Sequence, residues 1–156
     1  MGLDMYLSRS VHISNYEHDP EGQKLAKAVM DALDIKDQAA YAYGSVTVRL
    51  PAAYWRKANA IHGWFVNNCQ DGVDDCRESY VSETQLKELR DLCRDILAGT
   101  KTKNDMQPTE GFFFGNTDSD EWYRADLADT IEKLDKVLAI SPISKYGDEF
   151  YYRSSW

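Results

Sequence analysis

The sequence predicts an α+β fold, a small mainly antiparallel sheet packed with about four helices in a single domain spanning residues 1–156. Three observations carry that expectation. Leu3, Met5 and Leu7 alternate with Asp4 and Tyr6, the period of a half-buried strand. Ser82-Glu83-Thr84-Gln85 is a capping box, and Leu86, Leu89, Cys93 and Ile96 follow it at helical spacing. Helical and strand patterns then interleave irregularly, unlike the regular alternation of a doubly wound sheet.

Taken in order, the first strand continues from Leu7 toward Val11 and Ile13. Asp19-Pro20 opens a helix, an N-cap acid before a proline at the first helical position, with Leu25, Val29, Ala32 and Leu33 as its apolar stripe. Val46, Val48 and Leu50 alternate up to Pro51, where a second strand should end and a helix over residues 54–65 should begin. On a helical wheel Tyr54, Ala58, Ile61 and Phe65 share one face of that segment. Trp55, Asn59, His62 and Val66 share the next, and Arg56, Ala60, Gly63 and Asn67 point away. The apolar arc is wide, so most of this helix should be buried and should end through Gly72. Tyr80-Val81 reads as a short extended piece, Gly99 as the stop of the capped helix, and residues 101–109 as a polar, mobile loop. Phe112-Phe113-Phe114 reads as a strand between Gly111 and Gly115. A last helix starts near Thr117 or Asp118 with Leu127, Ile131, Leu134 and Leu138 inward, and Phe150-Tyr151-Tyr152 closes the sheet.

Composition narrows the functional classes. The 156 residues include 26 acids and 18 bases, a net charge of −8, which repels nucleic-acid phosphate and attracts basic surfaces. The apolar content of 43% and aromatic content of 12% belong to a globular chain, with ten Tyr and four Trp available for core edges or a binding face. Cys69, Cys76 and Cys93 form no tight pair, so reduced thiols are expected rather than a disulfide framework. The first residues lack a basic n-region, and no apolar run reaches membrane-spanning length. A soluble protein that stays where it is made is the expectation.

Chemistry-bearing residues are sparse. His62, with Asn59 as orienter and Arg56 as an anion clamp beside Lys57, is the best candidate for a small-molecule pocket. A His–Asn pair that satisfies its own hydrogen bonds is the competing structural account. No Ser or Cys nearby reads as an activated nucleophile, so no catalytic residue is assigned. Cys69, Cys76, Cys93, His12, His18 and His62 lack zinc-ligand spacing. The acidic groups Asp71, Asp74, Asp75 and Asp118, Asp120, Glu121 lack the calcium-loop pattern, so no metal or cofactor is expected. A protein-binding surface has more support: Asp74, Asp75, Asp118, Asp120 and Glu121 would steer a basic partner, and Trp122, Tyr123 and Tyr151 would anchor it.

Four blocks carry a resemblance. They are Met1-Gly2-Leu3-Asp4-Met5-Tyr6-Leu7, then Tyr54 through His62 with Trp64-Phe65-Val66, then Asp71-Gly72 with Asp74-Asp75-Cys76, then Gly111-Phe112-Phe113-Phe114-Gly115. Together they resemble a family of small uncharacterised bacteriophage and prophage proteins. The resemblance implies a setting, the cytoplasm of an infected bacterium, rather than a reaction. By analogy with anti-CRISPR proteins it implies a host-defence inhibitor that binds a basic surface of a defence complex, without direct nucleic-acid or membrane contact. The alternative from another class is a small-molecule or nucleotide-signal binder, a sponge or hydrolase, with its pocket around Arg56, Asn59 and His62.

Overall fold

The structure is a computed structural model, and it describes residues 2–38, 44–108 and 120–156. Its order is β1 (Asp4–Ser14), α1 (Pro20–Ala32), β2 (Ser45–Arg56), α2 (Asn59–Cys69), β3 (Ser79–Val81), α3 (Glu83–Ala98), α4 (Asp120–Ala139) and β4 (Glu149–Ser155). The class is α+β, with one four-stranded antiparallel sheet ordered β2-β1-β4-β3. At the β3 edge Tyr80 faces Tyr151 across an antiparallel ladder.

Chain contacts gather into two compact units. The larger comprises Met1–Arg9, Pro51–Ser141 and Glu149–Trp156. In it the inward residues of four strands (Met5, Leu7, Trp55, Val81, Phe150, Tyr152) meet Ile61, Phe65, Leu86, Leu89, Leu127 and Leu134 from α2, α3 and α4. Side chains alternate along a strand, so burying these on the helices leaves Tyr6, Tyr54, Tyr80 and Arg153 on the opposite face. The smaller unit comprises Ser10–Leu50 and Pro142–Asp148, and its core is Val11, Ile13, Ala26 and Met30.

Local sequence explains the helix ends. Asp19 accepts a hydrogen bond from the Gly22 N–H at 3.0 Å, with Pro20 in the first turn. Ser82 and Gln85 form the reciprocal capping box of α3, and Gly99 at φ 81° takes the left-handed stop. All four residues of the expected α3 stripe are buried.

Three expectations need correction. The helix expected over residues 54–65 begins only at Asn59, because β2 runs through Pro51 to Arg56. Proline is tolerated there because β2 is an edge strand, where a missing N–H need not cost a ladder bond. Tyr54 and Trp55 then follow their β propensity, and Lys57 at φ 57° turns the chain into α2. Trp55 therefore shares no helix face with His62, and Ala60 and Gly63, expected to point away, are buried with the rest of residues 59–66. In α1 the buried residues are Ala26 and Met30, while Leu25 and Leu33 are exposed. Small Ala26 lets that face approach the strands, and Val29 alone of the expected stripe packs beside it. In α4 the inward row is Tyr123, Leu127, Thr130, Leu134 and Val137, with Ile131 and Leu138 flanking it. The expected phenylalanine strand, the start of the last helix at Thr117 or Asp118, and Asp118 itself lie outside the described residues.

Candidate functional site

The most organised polar group in the core centres on His62, whose side chain is wholly buried. Its Nε2 lies 2.9 Å from Asp74 Oδ2, and its Nδ1 lies 2.7 Å from the Tyr152 hydroxyl. A carboxylate only accepts, so Nε2 carries the proton and donates to Asp74. In that tautomer Nδ1 is the acceptor for the Tyr152 O–H. Burial holds the Tyr152 phenol well above its ordinary range, which keeps that donor protonated. Asp74 also receives the Trp156 indole N–H at 3.1 Å, and Tyr152 stacks on Phe65 with centroids 4.0 Å apart. Such an arrangement orients and fastens. With both ring nitrogens occupied and no exposure, His62 meets no solvent-borne substrate.

Arg56 and Asn59 do not join it in a pocket. Arg56 projects from the end of β2 and lies 3.9 Å from Asp4, while Asn59 is 5% exposed in the first turn of α2. The acidic residues are also dispersed in their roles. Asp75 accepts from the Arg77 N–H at 3.2 Å, and Asp120 pairs with Lys103 at 3.0 Å. Glu121 and Trp122 are exposed, the indole at 71%. Tyr123 is a core residue whose hydroxyl donates to the Met106 carbonyl at 2.8 Å, and burial raises its phenol to about 12.

A face that the sequence did not single out is the open side of the sheet in the larger unit. Tyr54 on β2 donates its hydroxyl to Asp4, and its ring sits 5.5 Å from Tyr6 on β1. The Arg153 guanidinium of β4 lies 5.5 Å over the Tyr6 ring. Tyr151, the one residue here expected as an anchor, donates to Glu149 at 2.8 Å and meets Tyr80 of β3 edge-on at 6.0 Å. Tyr6, Tyr54 and Tyr80 remain 39%, 45% and 55% exposed, so a row of aromatic rings crosses all four strands. The alternation of Tyr6 between Met5 and Leu7 was the available signal for one end of it.

No protein-family model, curated protein or solved structure matches the chain.

Among the described residues no three His, Cys, Asp or Glu converge to hold a metal ion. The three cysteines are free thiols, and burial raises both Cys69 and Cys93 to about 12, too protonated for nucleophilic work. In the smaller unit a cleft of about 100 Å³ lies beside Asp19, Lys145 and Tyr146. Lys145 Nζ holds Asp19 at 2.7 Å and, with the Gly22 N–H, lowers that carboxyl to about 2. The carboxylate thus already occupies the anion position of α1. His12 packs edge-on against Tyr146, and His18 stacks on Tyr16. Among the described residues no helix is long and apolar enough to cross a membrane.

Proposed function

We propose that the chain is a binding protein, a phage-encoded inhibitor that docks on a basic surface of a host defence complex in the cytoplasm of the infected bacterium. The observation that carries this reading is the exposed tyrosine row of Tyr54, Tyr6, Tyr151 and Tyr80 on the open sheet. Rigid amphipathic rings with few rotatable bonds are favoured anchors of protein interfaces. Arg153 over Tyr6 illustrates how a partner's guanidinium would sit on this face, and the net charge of −8 would draw it in. Asp75, Glu121 and the exposed Trp122 extend the same chemistry elsewhere on the surface. The closed hydrogen bonding of His62 weighs against the rival small-molecule or nucleotide-signal pocket around that ring.

The test is capture of partners from host lysate at low salt with the wild-type chain and the double variant Tyr6→Ser/Tyr80→Ser. Expected is a salt-sensitive partner that the variant loses while its melting temperature stays within a few degrees. Recovery of nothing at low salt, or equal recovery by both proteins, refutes the reading.

A further inference from the structure

A cleft of about 330 Å³ lies between Trp64 and Asn68 of α2 and Glu88, Leu92 and Asp95 of α3. Helical spacing builds both walls, since residues three or four apart project in one direction. Gly99 then turns the chain back, and the Thr100 and Lys101 N–H groups both reach the Asp95 carbonyl, at 3.0 and 3.2 Å. That return brings the Lys101 ammonium to 4.0 Å from the Asp95 carboxylate, where it closes one end of the cleft. The volume falls at the lower end of what small-molecule sites occupy, about 300–1,000 Å³.

The polar groups along this cleft are unequally satisfied. Asp91, which also lines it, is held by Arg90 at 2.9 Å and Arg94 at 3.5 Å. Glu88, at the end away from Lys101, has no hydrogen bond or ion pair among the described residues. A second, independent observation is Trp64, which is 9% exposed and whose indole N–H donates to no acceptor among the described residues. That nitrogen is not one of the sealed polar atoms of the core, so it opens onto the cleft that the ring lines. Asn68 Nδ2 donates to the Trp64 carbonyl at 2.8 Å, which leaves Asn68 Oδ1 as a free acceptor. Gln85 donates to the Asn68 carbonyl at 2.8 Å and so sets Asn68 at the Glu88 end. Trp64, one turn back along α2, then lies nearer Asp95 and Lys101. One end of the cleft therefore offers acceptors, the other offers donors, and half-buried Leu92 lies between them.

We propose that this cleft binds a free α-amino acid with an apolar side chain, independently of the tyrosine face. Its ammonium donates to Glu88 and Asn68 Oδ1, and its carboxylate accepts from the Trp64 N–H and the Lys101 ammonium. Its side chain lies along Leu92 and the indole ring. The lengths agree: seven residues of helix set Glu88 about 10 Å from Asp95, and two hydrogen bonds of about 3 Å leave roughly 4 Å. That is near the separation of the two charged ends of an α-amino acid. An amine alone leaves the Trp64 N–H and Lys101 unanswered, and a carboxylate alone meets Glu88, Asp91 and Asp95 without a cation of its own.

The experiment is titration of the full chain with L-leucine, with isopentylamine (leucine without its carboxylate), with 4-methylpentanoate (leucine without its ammonium) and with glycine. The Trp64 indole N–H resonance is followed in each. A saturable shift is expected with L-leucine, at an affinity at least about ten-fold above that of either fragment and of glycine. Glu88→Gln and Lys101→Met should each weaken L-leucine by about ten-fold or more, while the melting temperature stays within a few degrees because both side chains are exposed. Absence of a saturable shift, equal binding of either fragment or of glycine, or unchanged affinity in either variant would overturn the proposal.

Discussion

Removing the His62 ring should destabilise the larger unit severely, and the size of the effect follows from its contacts. His62→Ala deletes the acceptor of the Tyr152 hydroxyl and the donor to Asp74. Tyr152 is 0% exposed, so its hydroxyl would be left in the core without a partner, at about 1–3 kcal/mol. The vacated ring volume adds a cavity term of about 1–2 kcal/mol. A total near 3–4 kcal/mol corresponds to a melting temperature lower by roughly 10 °C for a chain of this length. Urea titration followed by tryptophan fluorescence and far-UV circular dichroism measures it, as a fall in midpoint at unchanged slope. The double variant His62→Ala/Tyr152→Phe sharpens the reasoning. With no hydroxyl left to orphan, it should cost less than the two single changes together, by about 1–2 kcal/mol. A loss below about 1 kcal/mol for His62→Ala, or strict additivity in the double variant, would refute the assignment of this ring as a fastener.

The titratable and buried polar groups of the fold give further expected outcomes. Burial raises the Asp126 carboxyl from 3.8 to about 6, so folding favours its neutral form. That contribution is complete below about pH 4 and is lost as pH rises through about 6. Asp126→Asn should therefore raise stability by about 1–2 kcal/mol at pH 8 and leave it unchanged at pH 4, as thermal melts at the two pH values would record. Asp19, lowered to about 2, acts with the opposite sign: its contribution is present above about pH 4 and lost as pH falls through 2. Asp19→Asn should speed amide exchange in α1 near neutral pH, with the difference fading in acid. Ser154 is 1% exposed with an unpartnered hydroxyl, so Ser154→Ala should be neutral or stabilising by up to about 1 kcal/mol in urea. Iodoacetamide at pH 8 should alkylate Cys69 and Cys93 far more slowly than in the urea-unfolded chain, as mass spectrometry would follow.

What could be read in the sequence was local chemistry. The alternation from Leu3 to Ile13, the Asp19-Pro20 start and the Ser82–Gln85 box are short-range signals, and each produced its element. The failures came where tertiary position decides. Pro51 ends a central strand but not an edge strand, and nothing near residue 51 states which strand β2 will be. Ala26 entered the core over the larger Leu25 because the approach of α1 to its strands favours a small residue. The partners of His62 stand twelve and ninety positions away, so their convergence had no sequence period to announce it. Likewise the tyrosine row draws one ring from each of four strands, and only the strand order makes them neighbours.

Pro51 has a further consequence, for how molecules of this protein behave when crowded together. An outer strand offers a ladder of unsatisfied backbone groups on which a foreign strand can crystallise, and β2 is the longest strand in the sheet at 12 residues. A solvent-exposed proline near its middle interrupts that template, since any strand laid along it would meet a ring where a donor should be. At the other edge β3 has only three residues, too few to seed an addition. The residue that misled the reading of β2 is thus a gatekeeper. Pro51→Val should leave the fold intact yet make the chain form fibrils at high concentration sooner than the wild type, as light scattering on standing would record.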